Sequence, residues 1–444
     1  MMRLLLSEVA EICGGRLQGE DREICGMIHD SRALEAGMLF AALPGERVDG
    51  HDFLDTALAA GAAGALVSRL VDAGLSQVVV ADVRKAMGQV AAGWRARLNV
   101  TVIGVTGSNG KTTVKEMITA ICAAQGPTLA TVGNYNNEIG LPVTMARLGP
   151  EHRYAVLEMG AGRAGDIAYL AGLARPDIGL VNNAGPAHLE TMGSIEGVAR
   201  TKGEIFESLT EGGRAVINVD DPFAGLWREM IGARESLGFG FDSSADVRGA
   251  MLNGHARIDS PAGSFELQLA LPGRHNIMNA LAATAVACHL GLPLEDVAAA
   301  LNGMKSLAGR FQLHEGASGW RLIDDTYNAN PASLYAGLQV LVGLSDRPWL
   351  VLGDMAELGP DAARMHAEMG QSAADLGVER LYAVGPLSAH SAAAFGRGAA
   401  HFESHQALLE ALVVELEPGV NCLVKGSRSM AMERIVQALI GEKT

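Results

Sequence analysis

The stretch Gly104-Val105-Thr106-Gly107-Ser108-Asn109-Gly110-Lys111-Thr112-Thr113 decides how the chain folds. Residues 100–105, which run into it, are mostly apolar and β-branched, which predicts a buried strand. Behind it Val114, Met117, Ile118 and Ile121 repeat at the helical period, so a helix starts near Thr112 and stops at Gly126-Pro127. Strand, glycine-rich loop and helix in that order are the setting of a phosphate-binding loop. The glycines let backbone N–H groups crowd phosphate oxygens, and the helix N-terminus adds a favourable dipole. Gly107, Ser108, Asn109, Gly110 and Thr113 form the candidate cradle, Lys111 reaches the terminal phosphates and Thr112 offers a hydroxyl to Mg²⁺. Gly104 and Gly110 are separated by five residues where the strict pattern has four. An ordinary glycine-rich turn between strand and helix is the competing reading.

Outward from the loop, apolar runs alternate with helix-period segments, the pattern of parallel-sheet domains. A polar-faced helix over about residues 84–98 leads into the loop's strand. Further strands are expected at 155–157, 178–182 and 215–219, followed by a β-rich, irregular region at 240–272. The pattern restarts after Gly309-Arg310-Phe311, with strands at 322–323, 349–352, 381–384 and 422–424. The fold class is therefore α/β in three domains, as expected for 444 residues. A small α/β N-terminal domain covers 1–84, a central P-loop parallel-sheet domain 85–309, and a Rossmann-like C-terminal domain 310–444.

Composition excludes several classes. Lys and Arg number 35 against 50 Asp and Glu, so a net charge of −15 disfavours nucleic acid and anionic membrane as partners. Any phosphate must be bound by local devices. Gly contributes 55 residues, an excess that suits tight turns, and it shows no collagen period. Cys13, Cys25, Cys122, Cys288 and Cys422 are scattered, which disfavours a disulfide framework or structural zinc and suits a reducing compartment. Leu4-Leu5-Leu6 is followed by Glu8 and Glu11, too short a run for a signal-peptide core. The longest apolar stretch, 281–301, carries His289, Glu295 and Asp296, so no membrane span is expected. A cytoplasmic protein is expected.

Three residues beyond the loop carry chemistry. Glu158 ends the predicted strand 155–157, where open α/β sheets bind ligands, and its carboxylate is a hard oxygen donor suited to Mg²⁺. His188 follows the next strand tip and reads equally as a structural histidine or a ligand. Around Lys202, Val198, Ile205, Phe206 and Leu209 fall at −4, +3, +4 and +7, so the lysine projects from the apolar face of a predicted helix. Such a lysine either snorkels to water or stays desolvated with a lowered pKa. In the second case its neutral amine can take up CO₂ as a carbamate, an anionic oxygen ligand.

Together these residues resemble the Mur ligase family, and within it the MurF type, over essentially the whole chain. Asp30-Ser31-Arg32 and the segment 37–53, with Arg47, Asp49, Gly50 and His51, are similar to the uridine-nucleotide-binding domain of the MurE and MurF types. The resemblance implies Lys111, Glu158, His188 and Lys202 as the catalytic set. Thr112, Glu158, His188 and a carbamylated Lys202 would hold Mg²⁺, with two ions expected. Asn276 and Asn279 match the adenine-contacting stretch, and Arg310 and Asp325 match nucleotide contacts arriving from the C-terminal domain. Asn134, Asn136, Asn137, Tyr327, Asn328, Asn330 and Arg428 are implied substrate contacts.

The type follows from what stands where. No Rossmann-like fingerprint opens the chain, unlike the MurC and MurD types. Leu352-Gly353-Asp354-Met355-Ala356-Glu357-Leu358-Gly359 occupies the place of the MurE-type Asp-Asn-Pro-Arg motif. The resemblance implies an ATP-dependent amide ligase that activates a UDP-MurNAc-tripeptide carboxylate as an acyl phosphate. D-Ala-D-Ala would then be the amine acceptor, and a monomer is expected. A MurE-type ligase adding one diamino acid to the dipeptide is the enzyme alternative. A nucleotide-regulated binding protein with a degenerate site is the alternative of another class.

Overall fold

The computed structural model describes residues 1–45, 48–186, 188–252, 255–316 and 318–441. Arg47, one of the expected substrate residues, lies outside the described residues.

Among the described residues, three large sheets follow one another along the chain, beside a two-stranded antiparallel pair of Leu4–Leu5 with Glu23–Ile24. The first has the strand order Arg16–Gln18, Gln77–Val79, Gly64–Val67, Leu39–Ala41, Met27–Ile28, parallel except at its first edge. The second has nine strands. Thr128–Ala130, Tyr154–Glu158, Thr101–Thr106, Ile178–Val181, Arg214–Asn218, Ser236–Gly240 and Val247–Leu252 run parallel. His255–Ser260 and Gly263–Leu267 finish the sheet as antiparallel hairpins, which is the regular form taken by the region expected to be irregular. The third has six strands, parallel except at the edge strand Gln312–Glu315.

The loop's strand Thr101–Thr106 lies between Tyr154–Glu158 and Ile178–Val181. The chain first builds the sheet on one side of it and then crosses to the other. A crevice opens outside the strand tips at such a switch point. Glu158 pairs in register with Val105 and Val181 with Thr106, so the tips finish level around the loop.

Packing fixes this arrangement. The helix Lys111–Ala123 buries Val114, Met117, Ile118 and Ile121, the residues that its periodicity marks. The helix Val83–Arg95 starts at Asp82, whose carboxylate accepts from Lys85 N at 3.0 Å. Its buried face joins one continuous core that runs from Leu6 and Val9 through Val90 to Val102, Leu157 and Phe206. The first and second sheets are thus packed into one apolar body. The third sheet carries its own apolar layers on both faces.

The helix expected to carry Lys202 through to Leu209 is shorter. It spans Ile195–Gly203 and tightens into a 3-10 turn, Glu204–Ser208. Gly203 packs closely on Met230 and Trp227, and a Cβ there would lie 2.7 Å from Met230 Cε and 3.1 Å from Trp227 Cδ1. The Glu204 carboxylate accepts from Gly165 N at 2.8 Å and Ala168 N at 3.0 Å, at the start of the helix Asp166–Ala174. Lys202 stays on the buried face.

Candidate active site

The loop after Thr106 turns at Gly107 (φ 151°) and Gly110 (φ 76°), backbone values that L side chains rarely adopt. It is braced by a chain of asparagines. Asn109 N donates to Asn183 Oδ1 at 2.8 Å, and Asn182 Nδ2 donates to Asn109 O at 2.9 Å and to Asn279 Oδ1 at 3.0 Å. Asn279 in turn donates to Asn276 Oδ1 at 3.2 Å, and Asn276 to Pro272 O at 2.9 Å. The two expected adenine contacts therefore also tie the helix Arg274–His289 to the phosphate loop. Asn182 and Asn183 escaped the sequence reading as site residues. Their position just past a central strand tip was the available signal.

A Cβ on Gly110 would lie 2.5 Å from Asn279 Oδ1 and 2.7 Å from Asn182 Nδ2. Gly110→Ala is therefore expected to displace the loop and weaken an ATP analogue by about tenfold or more, since strain of 1–3 kcal/mol falls on the bound geometry. Titration calorimetry would check this, and an unchanged affinity would contradict it.

Lys111 Nζ donates to Gly107 O at 2.7 Å and Ser108 O at 3.3 Å, so the ammonium lies over the cradle. Burial holds its pKa below the ordinary value; Glu158 opposes this and the Arg310 guanidinium adds to it. Thr112 Oγ1 donates to Glu158 Oε2 at 2.9 Å. Asn136 Nδ2 donates to Glu158 Oε1 at 2.7 Å, and Glu158 N donates to Thr131 Oγ1 at 3.0 Å. Oε2 is thus aimed at the phosphate loop and Oε1 at Asn136.

The third domain closes the other wall. Arg310 stacks over the Tyr327 ring, 4.0 Å from its centroid, and donates from Nη2 to Thr112 Oγ1 at 2.8 Å. Its Nε is buried with no hydrogen-bond partner among the described residues. Asn330 Nδ2 donates to Asn109 Oδ1 at 2.7 Å. Asp325 is ion-paired with the buried Lys425, whose amine also donates to Asn328 O at 3.0 Å. These groups line one cleft of about 1730 Å³ together with Asn134, Asn137, His188 and Arg428.

His188 and Lys202 sit beside the loop. Lys202 is 2% exposed, and burial first, then the Lys111 charge, lowers its pKa to about 7 against the pull of Asp166 and Glu204. Burial also lowers His188; Glu357 opposes this, and Lys202 and Lys111 add to it. The Lys111 charge thus disfavours a cation at both Lys202 and His188. For a metal, Thr112 and Glu158 are hard oxygen donors suited to Mg²⁺. No cluster of three or more His, Cys, Asp or Glu able to hold a metal occurs among the described residues. Such a pair fits the way Mg²⁺ is commonly held, by one or two protein oxygens plus substrate phosphates.

Ser31, Arg32, Asp49, Gly50 and His51 of the first domain do not line this cleft. Arg32 forks onto Asp30 at 2.9 and 2.7 Å, which lowers the Asp30 pKa to about 2. Ser31 opens the 3-10 turn that Asp30 caps. Asp49 caps the next such turn and accepts from His51 N and Arg69, which hold its carboxyl well below the usual range. His51 is buried and accepts from Ser68 N at 3.0 Å through Nε2. A Cβ at Gly50 would lie 2.6 Å from Leu43 N, so the turn needs glycine. The two regions meet where His29 packs edge-on to Tyr135, 6.4 Å between centroids, beside the Asn134–Asn137 wall.

Three family models match the chain: Mur ligase family, catalytic domain, over residues 23–100; Mur ligase middle domain, over 105–287; and Mur ligase, glutamate ligase domain, over 309–428. A curated relative, the UDP-N-acetylmuramoyl-tripeptide--D-alanyl-D-alanine ligase of Escherichia coli (strain K12), is 43% identical, with 99% of each chain covered. The crystal structure of MurF from Acinetobacter baumannii superposes with a TM-score of 0.92 at 34% identity, covering 99% of both chains. MurF ligase from Thermotoga maritima, in complex with ADP, gives 0.84 at 29% identity, covering 94% of this chain and 97% of that one. Since the likeness extends from the first sheet to the last and includes the loop and both cleft walls, the chain belongs to the Mur ligase family, and within it to the MurF type.

Proposed function

We propose that this protein is an ATP-dependent amide ligase that joins D-Ala-D-Ala to UDP-MurNAc-tripeptide in peptidoglycan precursor synthesis. The observation that carries the reading is the meeting of Arg310 and Asn330 of the third domain with Thr112 and Asn109 of the phosphate loop. That meeting lets an acceptor held by one domain face a nucleotide held by another. Residues 1–84 hold the uridine nucleotide, 85–309 hold ATP, and 310–444 bring the dipeptide.

The tripeptide carboxylate attacks the γ-phosphorus, ADP leaves, and an acyl phosphate forms. The amine of D-Ala-D-Ala then attacks the acyl carbon, loses a proton, and phosphate departs. Two anions must approach in the first step. Lys111 and Arg310 supply positive charge for the phosphoryl group in transit, and the cradle holds it in line. Thr112, Glu158, His188 and Lys202 are the residues that would hold Mg²⁺, which neutralises phosphate charge when bound. Lys202 takes part as a carbamate, formed when its neutral amine adds CO₂ and releases a proton. The reading assigns the protein to the cytoplasm as a monomer, with no nucleic-acid or membrane partner. Among the described residues, no helix is long and apolar enough to cross a membrane.

Phosphate release in the presence of ATP and UDP-MurNAc-tripeptide is expected to depend on D-Ala-D-Ala. Release that instead requires UDP-MurNAc-dipeptide and a single diamino acid would overturn the reading in favour of a MurE-type ligase.

A further inference from the structure

The helix behind the phosphate loop carries a second lysine that the ligase chemistry does not use. Lys115 stands one turn beyond Lys111 and is 2% exposed. Its ammonium donates to Thr131 O at 2.8 Å and pairs with the partly exposed Glu116. An ammonium taken out of water is costly, and one carbonyl with one partly exposed carboxylate offsets only part of that cost. The contribution of Lys115 is therefore where it holds Thr131 rather than net stability.

Thr131 stands where the sheet has least support of its own. It follows Thr128–Ala130, the strand at the free edge of the nine-stranded sheet, which pairs on one side only. Its N–H donates to Val156 O at 3.1 Å, and its hydroxyl accepts from Glu158 N at 3.0 Å. With the Lys115 bond, its N–H, carbonyl and hydroxyl are each engaged. Glu158 is then held at both ends, its N–H by Thr131 and its carboxylate by Thr112 and Asn136. The chain beyond Thr131 forms part of the cleft wall. It turns at Gly133 (φ 57°), presents Asn134, Asn136 and Asn137, and is tied back where Gly160 N donates to Asn136 O at 2.8 Å.

We propose that Lys115 is a positioning residue for the ligase reaction. It spans from the phosphate-loop helix to Thr131 and sets the spacing between the loop, Glu158 and the Asn134–Asn137 wall. The nucleotide side of the cleft and the wall opposite it are thereby held in one geometry. This inference rests on the ligase reading above.

The test compares Lys115→Met, which removes the ammonium, with Thr131→Val, which removes the hydroxyl under Glu158 N and keeps the side-chain size. A misplacement of about 1 Å in a site costs up to about a hundredfold, so each variant is expected to lower kcat by about 10–100-fold. KM for ATP should stay within about twofold, because residues 107–113 keep their own bonds. The double variant should lose little more than either single one, since both act on Glu158 through the same residue. In Lys115→Met, Glu116 stays within reach of water and one hydrogen bond is lost, so the melting temperature should fall by only a few degrees. Hydrogen–deuterium exchange read by mass spectrometry is independent of turnover. In Lys115→Met the amides of 131–137 and 158–160 should exchange faster, while those of 105–113 stay as in the wild type. A wild-type kcat in Lys115→Met, additive losses in the double variant, or exchange raised equally in 105–113 would overturn the proposal. A Lys115→Met chain that does not fold would overturn it too, by showing that Lys115 acts through stability. If the wild type releases no phosphate with D-Ala-D-Ala, the ligase reading fails, and the exchange measurement still decides whether Lys115 holds the wall.

Discussion

Lys111→Met should lower kcat/KM by about a thousandfold or more, the largest loss expected of any single loop residue. The position of the ammonium sets this magnitude. The ammonium donates to Gly107 O and Ser108 O, carbonyls of the loop whose residues 108–113 line the cleft. Burial, aided by the Arg310 charge, makes the bare cation costly there, so an anion that enters is strongly favoured. A triphosphate supplies that anion, and its charge shifts toward the leaving oxygen as the phosphoryl group transfers. Methionine keeps the apolar stem out to Cε and removes the ammonium. Two hydrogen bonds to carbonyls are lost, at about 1 kcal/mol each, but so is a desolvated cation. The melting temperature should therefore move little while activity collapses. Phosphate-release kinetics beside a thermal melt separate the two, and a loss of less than tenfold at saturating ATP would remove Lys111 from the proposed chemistry.

The loop and its flanking elements are readable from the sequence because two periodicities bracket a run of glycines. Val114, Met117, Ile118 and Ile121 bury together as their spacing requires. Shorter elements carry no such signal. Thr128–Ala130, Met27–Ile28 and Gln312–Glu315 are too short to show alternation, and their partners in the sheet decide them. At the end of the Lys202 helix Gly203 packs closely on Met230 and Trp227, a contact between segments distant in sequence that no local spacing marks. The site divides in the same way. Lys111, Thr112 and Glu158 stand at strand tips and a helix start, places a sequence pattern marks. Asn182 and Asn183 also stand at a strand tip, but their bracing role comes from Asn109 and Asn279, partners brought in by the fold. Asp49 and His51 show the converse. Their pattern is visible, but in the structure their side chains brace a turn.

Lys202 carries the second large effect, and its chemistry depends on pH in a definite direction. At a pKa of about 7 half of the amines are neutral at neutral pH, against roughly three in ten thousand for an ordinary lysine. The burial penalty acts on the charged form, so acid favours the ammonium and blocks carbamate formation, while mild alkali frees the amine to take up CO₂. Activity is therefore expected to rise between about pH 6 and pH 8 and to fall when CO₂ is stripped from the buffer. The nearby Asp166 and Glu204 carboxylates oppose the lowered pKa, and the helix C-terminus at Gly203 also favours a cation. Burial and Lys111 prevail because the amine is almost wholly withdrawn from water. A carbamate at this position would be an anion where the Lys111 charge now disfavours the ammonium. Lys202→Ala should lose about a thousandfold in kcat, matching several kcal/mol of lost charge stabilisation. The same variant leaves a space into which a short carboxylic acid fits, so formate or acetate should restore at least tenfold of that loss. Lys202→Met fills the space and should not respond. Rescue of neither variant, or of both equally, would show that Lys202 acts as a plain amine or only through packing.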